Sequence, residues 1–274
     1  MVVFNKIIAI MAEIVIDASI ALTLTVEVYN RRKPIFDAVS NWYIEKFETD
    51  IVVTGSGNVG KSTLADRLTS ALYEKNFTPP DKHSSNIEHA LIRINGEIRP
   101  KKLVILPGQV GLESYKDGIK THLVNGVRTS GLIYVVDWGY RVPREQYSQL
   151  RLIADGLDSI ERLAEDYRKK ELKHFADTML HASVSGINWL FIVINKCDLF
   201  PNRIGEVINY YEESFSPIIN QYCKEIKVEF MPMISVHRAL SFNKCNLIST
   251  VNAIYTQKTM LETFLKKLAE CNFR

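Results

Sequence analysis

Cysteine is scarce in this chain, and its spacing excludes several classes of site. Four cysteines occur in 274 residues, and no two of them form a C-x-x-C pair. The six histidines likewise show no spacing typical of a zinc site. We therefore expect neither a disulfide framework nor a cysteine-rich metal module. The thiols are interpreted as reduced, which favours a cytoplasmic protein.

Long apolar runs and a large net charge are also missing. Within the first 48 residues, the longest stretch without a charged side chain has nine residues, Ala18 to Val26. A membrane-spanning helix needs about 20 mostly apolar residues. The formal net charge is only +3, so we expect no nucleic-acid partner. A hydrophobic content of 46% is enough for one sizeable core with an appendage.

A glycine-rich string near the first strong apolar run predicts phosphate binding. The string GSGNVGKST follows Ile51 to Val53, precedes an amphipathic run, and fits G-x-x-x-x-G-K-[ST]. In such a loop, backbone N–H groups surround phosphate oxygens, a lysine adds positive charge and a hydroxyl binds Mg²⁺. Ser62 is the hydroxyl in that position. The candidate binding residues are Gly55, Asn58, Val59, Gly60, Lys61, Ser62 and Thr63.

A second polar string, NKCD, follows the apolar residues Leu190 to Ile194. The carboxylate of Asp198 can accept two hydrogen bonds from the N1–H and N2–H₂ edge of guanine, whereas adenine has no matching pair of donors. Asn195 would brace the loop, and the stem of Lys196 would lie along the base. Four polar residues after a strand can also form an ordinary turn. Downstream of a phosphate-binding loop, however, they predict a site for GTP or GDP.

With these motifs in this order, the chain resembles the Ras-like small GTPases of the P-loop GTPase superfamily. The resemblance covers residues 50 to 270 in motif order and implies that Ile105 to Gln109 corresponds to the D-x-x-G-Q motif of that family. It also implies that Gln109 is the catalytic residue that positions the attacking water, assisted by Lys61. The aspartate that orients Mg²⁺ in that family is replaced by Ile105.

This departure leaves two functions open. In the first, the protein is a GTP-dependent switch that hydrolyses GTP slowly, with Mg²⁺ held by Ser62, phosphate oxygens and water. In the second, it is a scaffold or sensor that binds GTP without hydrolysis and recruits a partner or a membrane through its N-terminal helix. Gln109 favours the first function, and the missing aspartate favours the second. The NKCD string disfavours an ATPase.

The resemblance further implies a hydroxyl ligand for Mg²⁺ in the segment that corresponds to switch I. Counting back from the hairpin predicted at residues 87–106 favours Ser84 or Ser85. Thr78, which precedes two prolines, is the alternative. Ser85 is the candidate taken forward as the second metal ligand.

The resemblance also implies a short S-A-K-like loop after the last strand, which Ser235, Val236 and His237 fit. Their backbone would contact the guanine O6. No catalytic role is expected for His237, because no nucleophile is paired with it in the nearby sequence.

Apolar periodicity and turn signals predict an α/β fold, and the resemblance implies the three-layer P-loop NTPase architecture of a Ras-like G domain. A six-stranded, mostly parallel sheet should carry helices on both faces. The predicted strands are 50–54, 87–94, 101–106, 132–137, 188–194 and 227–234. One predicted helix starts at residue 61. The others cover residues 113–126, 143–182, 203–224 and 250–270. The G domain is expected over residues 49–274.

Two segments exceed a minimal G domain. Residues 142–184 predict a long helical insertion, because apolar residues from Leu150 to Tyr167 recur at helical spacing. Its apolar face should pack on the sheet, or present an edge to a partner helix. Residues 1–48 predict a helical extension that docks on the G domain or on another subunit, with a helix lying on a membrane surface as the alternative. Besides guanine nucleotide, we therefore expect a protein effector or self-association through either segment.

Overall fold

The structure is a computed structural model, and it describes residues 50–70, 88–92, 101–108, 112–125, 129–143, 145–223, 225–237, 239–249 and 253–272. The helical extension predicted for residues 1–48 lies outside these ranges. So do the candidate residues Gln109, Ser85, Ser84 and Thr78. Statements about them stay predictions, as does the domain boundary at residue 49.

The described strands form a six-stranded sheet in the order β2-β3-β1-β4-β5-β6. They are β1 (Asp50–Thr54), β2 (Glu88–Ile92), β3 (Lys101–Ile105), β4 (Thr129–Val136), β5 (Trp189–Ile194) and β6 (Lys227–Pro232). Five adjacent strands are parallel, namely β3, β1, β4, β5 and β6. The edge strand β2 pairs with β3 in the antiparallel sense. The predicted fold class, a mostly parallel α/β sheet, is confirmed.

The central strands β4 and β5 form because each carries an apolar run, at residues 132–136 in β4 and throughout β5. Every residue of β5 is buried, and so are all residues of β4 except Ser130. Such runs are typical of parallel strands that are covered on both faces. The carboxyl ends of β1, β4 and β5 lie at the same edge of the sheet, which is where ligands bind in open parallel sheets.

Helices cover both faces of the sheet, as predicted. They are α1 (Lys61–Ser70), α2 (Glu113–Ile119), α3 (Gln146–Ala154), α4 (Ile160–Ser185), α5 (Ile204–Tyr222) and α6 (Ala253–Asn272). One face packs against α1 and α6 through side chains such as Leu64 and Phe264. The other packs against α2, α4 and α5, where the rings of Phe175 and Phe215 stack 3.8 Å apart. Among the described helices, none is long and apolar enough to cross a membrane.

The single helix predicted over residues 143–182 is wrong, because α3 ends at Ala154 and α4 begins at Ile160. Gly156 adopts a φ of +83° in the break. The side chain of Ser159 then accepts a hydrogen bond from the N–H of Arg162 at 3.2 Å and caps α4. Leu150, expected on the buried face of one long helix, is 58% exposed. The local stop and cap signals therefore override the apolar periodicity.

A short hairpin after β6 was not predicted. It pairs β7 (Leu240–Phe242) with β8 (Cys245–Leu247) in the antiparallel sense. The two turn residues, Asn243 and Lys244, both have positive φ angles, of 44° and 67°. Glycine is the usual second residue of such a turn, and lysine in its place hides the signal.

Candidate nucleotide-binding site

The loop between β1 and α1 takes a path that two glycines allow. Gly55 leaves β1 with a φ of +138°, and a Cβ atom there would collide with the backbone carbonyl of Val135 on β4. Gly60 has a φ of +95°, and a Cβ atom there would lie 2.5 Å from Nδ2 of Asn195. Both the backbone angle and the space exclude a side chain. The loop can therefore approach β4 and the loop after β5 closely.

Lys61 begins α1 and folds back across this loop. Its side chain is buried, and Nζ donates hydrogen bonds of 2.9 Å to the carbonyl oxygens of Gly55 and Ser56. Ser62 and Thr63 occupy the first turn of α1 and are partly buried. The start of a helix favours anions, because its N–H groups are unpaired and its dipole is positive there. An ammonium, two hydroxyls and a helix start thus lie together.

The segment after β3 reaches the same loop at Gly108. A Cβ atom on Gly108 would lie 2.6 Å from Nζ of Lys61 and would collide with the backbone of Gly57. A Cβ atom on Gly57 would only make an ordinary contact, at 3.8 Å from the Gly108 carbonyl oxygen. Ile105, at the aspartate position of the implied motif, is buried in the apolar cluster beneath α1. It offers no oxygen atom to a metal.

Asn195, directly after β5, joins two other loops. Its Nδ2 donates to the carbonyl oxygen of Val59 at 2.9 Å, and its Oδ1 accepts from the N–H of Ser235 at 3.1 Å. The side chain is 2% exposed, so both bonds are shielded from water. One amide thereby fixes three loops relative to one another. They are residues 55–60, which we call the phosphate-type loop, residues 195–198, which we call the base-type loop, and residues 235–237.

Asp198 lies beside His237 in this assembly. Its Oδ2 is 3.2 Å from Nδ1 of His237, which is also 3.5 Å from the hydroxyl of Ser249. Its other oxygen, Oδ1, is buried and has no hydrogen-bond partner among the described residues. Burial raises the pKa of Asp198, and His237 opposes this shift. A buried carboxylate with one oxygen unused is suited to accept hydrogen bonds from a ligand.

Lys196 connects the base-type loop to the phosphate-type loop and to β4. Its backbone is left-handed, with a φ of +59°. Its Nζ donates to the carbonyl oxygens of Asn58 at 3.1 Å and Tyr140 at 2.7 Å, and to Oδ2 of Asp137 at 2.6 Å. Asp137 follows β4 directly and is fully buried. Sequence reasoning missed Asp137, although an acidic residue just after a buried parallel strand, at the edge where P-loops emerge, was a usable signal.

Asp137 belongs to a series of buried charges that we call the charge chain, namely Lys196, Asp137, Arg141 and Glu171. Arg141 lies 3.6 Å from Oδ1 of Asp137 and 3.3 Å from Oε1 of Glu171. Glu171 is on α4, is fully buried, and accepts a 2.6 Å hydrogen bond from the hydroxyl of Tyr211 on α5. Two cations and two carboxyl groups therefore alternate, and their charges cancel when both carboxyl groups are ionised.

The pKa values in the charge chain reflect competition between burial and pairing. Burial raises the pKa of Glu171 to about 7, although Arg141 opposes this shift. Burial alone would lower the pKa of Arg141, but Asp137 and Glu171 raise it overall. Glu171 had no recognisable signal in the sequence, because it is one of many charged residues in α4. Only the tertiary structure identifies it as a neighbour of the site.

The sequence-predicted residues of the two main motifs and of the loop at residues 235–237 thus meet at one edge of the sheet. The implied contact of the residue 235–237 backbone with a base is not tested by this geometry, but the side chain of His237 has a contact that was not anticipated. Gln109 and Ser85 lie outside the described residues. Within those residues, no group of three or more His, Cys, Asp or Glu side chains could hold a metal ion.

Comparison with known proteins agrees with the motifs. Residues 50–182 match the model of a family described as 50S ribosome-binding GTPase. A search of curated proteins found no match. A crystal structure of the bacterial selenocysteine-specific elongation factor EF-Sec is similar, with 18% sequence identity and a TM-score of 0.44. That alignment covers 81% of this chain and 28% of the elongation factor chain.

Proposed function

We propose that this chain is a GTP-binding protein that acts as a nucleotide-dependent switch and hydrolyses GTP slowly. The match of residues 50–182 to the model of a GTPase family supports this proposal. The observation that supports this proposal best is the double contact of Asn195 with Val59 and Ser235. It joins the predicted phosphate contacts and the predicted base contacts into one site.

In the proposed complex, the phosphates lie against the backbone N–H groups of residues 55–63 and the start of α1. Lys61 exchanges its two carbonyl acceptors for phosphate oxygens, because charged oxygens are stronger acceptors. Asp198 accepts from the N1–H and N2–H₂ groups of guanine, with Oδ1 as the oxygen that the described residues leave unused. The backbone of residues 235–237 contacts the guanine O6, and the stem of Lys196 lies along the base.

Ser62 is the proposed protein ligand for Mg²⁺, with Ser85 as the second. The described donor set fits an ion that takes most of its oxygens from phosphate and water, as Mg²⁺ does. When bound, the ion would offset negative charge on the phosphates. Without an acidic residue at position 105, the ion is held less firmly by the protein, which is the reason to propose slow hydrolysis. In that reaction Gln109 orients the attacking water and Lys61 stabilises charge on the phosphates.

The second candidate is a GTP-binding scaffold or sensor without hydrolysis, which the burial of Ile105 among apolar side chains favours. Its partner would be a protein effector, another copy of the chain or a membrane surface. Residues 1–48 and the helices α3 and α4 are the proposed contact segments, and α3 exposes 78% of Tyr147. A cytoplasmic location is proposed for either function, in keeping with four free cysteines.

Single-turnover incubation with GTP and Mg²⁺ separates the two candidates. Bound GTP and GDP are followed by chromatography in the unaltered protein and in Gln109→Leu. Gln221→Leu is the matched control, because Gln221 is exposed at the end of α5. GDP formation that is lost only in Gln109→Leu supports the slow GTPase. Bound GTP that stays intact in the unaltered protein supports the scaffold, and a protein that binds no GTP contradicts both.

A further inference from the structure

We propose that Glu171 on α4 is a positioning residue for the nucleotide site, acting through Arg141 and Asp137 to hold Lys196 against the phosphate-type loop. The identity of the ligand rests on the proposed function, whereas the positioning of Lys196 is a property of the protein alone. The proposal adds a helix outside both nucleotide motifs to the machinery of the site.

The first step in the argument is the environment of Lys196. Its ammonium has three acceptors, and two of them are the neutral carbonyl oxygens of Asn58 and Tyr140. The third, the carboxylate of Asp137, is the shortest at 2.6 Å and the only one of the three with a charge. All three hydrogen bonds have an ionised donor, but only the bond to Asp137 joins two opposite charges and adds direct Coulomb attraction. Asp137 therefore dominates the placement of the Lys196 side chain.

The second step is the competition for Asp137. Arg141 is 5% exposed and lies near both Asp137 and Glu171. A buried guanidinium that loses one carboxylate is drawn to the remaining one, because an uncompensated buried charge is very unfavourable. Without the charge of Glu171, two cations would share the single carboxylate of Asp137. The bond between Asp137 and Lys196 would then weaken.

The third step is the rigidity of Glu171 itself. Tyr211 donates to its second oxygen at 2.6 Å, and the same hydroxyl accepts from the N–H of Trp138 at 3.2 Å. Arg141 also donates to the carbonyl oxygen of Tyr167 at 3.3 Å and lies 4.7 Å from the centre of its ring. Helices α4 and α5 thus hold the turn after β4 from two sides. A displacement of α4 would be transmitted to Lys196.

The test begins on nucleotide-free protein, because positioning of Lys196 does not require a ligand. Reaction of Lys196 with an amine-directed acetylating reagent is followed by mass spectrometry. We expect several-fold faster modification in Glu171→Gln than in the unaltered protein. Thr178→Val is the matched control: Thr178 is fully buried on the same helix and bonds to the carbonyl oxygen of His174, so its loss should not change the reactivity of Lys196.

A charge-compensated variant separates positioning from simple loss of stability. Arg141→Gln combined with Glu171→Gln removes one cation and one carboxylate, and leaves Asp137 paired with Lys196. If Glu171 acts through the charge chain, the double variant should restore slow modification of Lys196. If Glu171 and Arg141 only stabilise the fold, the double variant should be modified at Lys196 faster than Glu171→Gln alone.

GDP affinity provides the second readout. Glu171→Gln should weaken GDP binding by about ten-fold, the size of one charge-assisted hydrogen bond, and the double variant should recover most of it. Unchanged Lys196 reactivity in Glu171→Gln, or a double variant worse than the single one, overturns the proposal. If Lys196 responds as expected but the unaltered protein binds no GDP, the positioning stands and the proposed function fails.

Should Glu171→Gln not fold, Glu171→Asp replaces it. Aspartate keeps the charge but withdraws the carboxylate by one methylene from Arg141. Faster modification of Lys196 is again the expected result. Unchanged modification in a folded Glu171→Asp, with circular dichroism matching the unaltered protein, overturns the proposal.

Discussion

The phosphate-type half of the site and its base-type half are built in different ways. In the first half, Lys61 bonds to carbonyl groups only five and six residues away, and glycines set the path of the backbone. In the second half, Asp198 and His237 are 39 residues apart, and Lys196 reaches 59 residues to Asp137. Local backbone shape makes one half, and tertiary folding assembles the other. Substitutions in the first half should therefore affect every nucleotide, whereas those in the second should affect base choice or stability.

Lys61→Ala should have the largest effect. Losing the ammonium should weaken GTP and ATP binding alike, by more than about 100-fold, because it removes a charged contact to phosphate. Equilibrium binding with fluorescent nucleotides measures this loss. Lys258→Ala is the control, since Lys258 is 75% exposed on α6. Micromolar GTP affinity in Lys61→Ala would contradict the assignment of the loop.

Asp198→Asn should act on base choice alone. The amide offers one acceptor where guanine needs two, so the ratio of GTP to ATP affinity should fall by about 100-fold. The phosphate-type half is unchanged, and weak binding of both nucleotides should persist. Competition binding with the two nucleotides gives the ratio, and Asp158→Asn, at a half-exposed position, is the control. An unaltered ratio would count against Asp198 as the base-selecting residue.

His174→Gln should affect stability rather than binding, because His174 is buried on α4 and is not one of the residues proposed to contact the nucleotide. Its Nδ1 is 2.8 Å from the hydroxyl of Tyr134. Burial, followed by Lys61 and Arg141, lowers its pKa from 6.5 to about 3. In the unfolded chain His174 is protonated below about pH 6.5, whereas in the folded protein it stays neutral until the pH is near 3. The free energy of unfolding is therefore highest above pH 6.5 and falls as the pH is lowered toward 3. At pH 5 the loss is about 2 kcal/mol.

Urea unfolding at pH 7 and pH 5 measures this contribution. The difference between the two pH values should shrink by about 2 kcal/mol in His174→Gln. His181→Gln, at a partly exposed position on the same helix, should leave the difference unchanged. An identical pH dependence in His174→Gln and the unaltered protein would show that His174 does not titrate with folding.

His237→Ala should have the smallest effect. It removes the neighbour of one Asp198 oxygen but leaves the carboxylate in place, so GDP affinity should fall by about five-fold, or roughly 1 kcal/mol. Isothermal titration calorimetry measures the change. Ser249→Ala removes the hydroxyl that lies 3.5 Å from Nδ1 of His237 and should have a smaller effect still. A loss as large as that of Lys61→Ala would mean that His237 itself contacts the ligand.

The order of elements and the phosphate-type loop could be predicted from the sequence, because both depend on patterns within about ten residues. The buried runs of β4 and β5 and the glycines of the loop are such patterns. The break between α3 and α4 is also encoded locally, in Gly156 and Ser159, although apolar residues at helical spacing continue across it. The predicted strand at 132–137 started late, since β4 begins at Thr129.

The charge chain could not be predicted, for a different reason. Glu171 and Arg141 are 30 residues apart, and Glu171 and Tyr211 are 40 apart. Charged residues are common on helices, and nothing in the local sequence marks the one that is buried. Its role depends on how α4 packs against the sheet, which is a tertiary property. Sequence patterns therefore predicted the candidate site, and the structure identified what surrounds it.

The close approach of Gly60 to Asn195 has a consequence for how this sequence can change through evolution. A single methyl group at position 60 would overlap the amide that holds Val59 and Ser235 in place. The two positions are 135 residues apart, yet a side chain at position 60 is compatible only with loss of that asparagine. Among descendants of this chain, the asparagine of the second motif should occur only where the glycine of the first is retained.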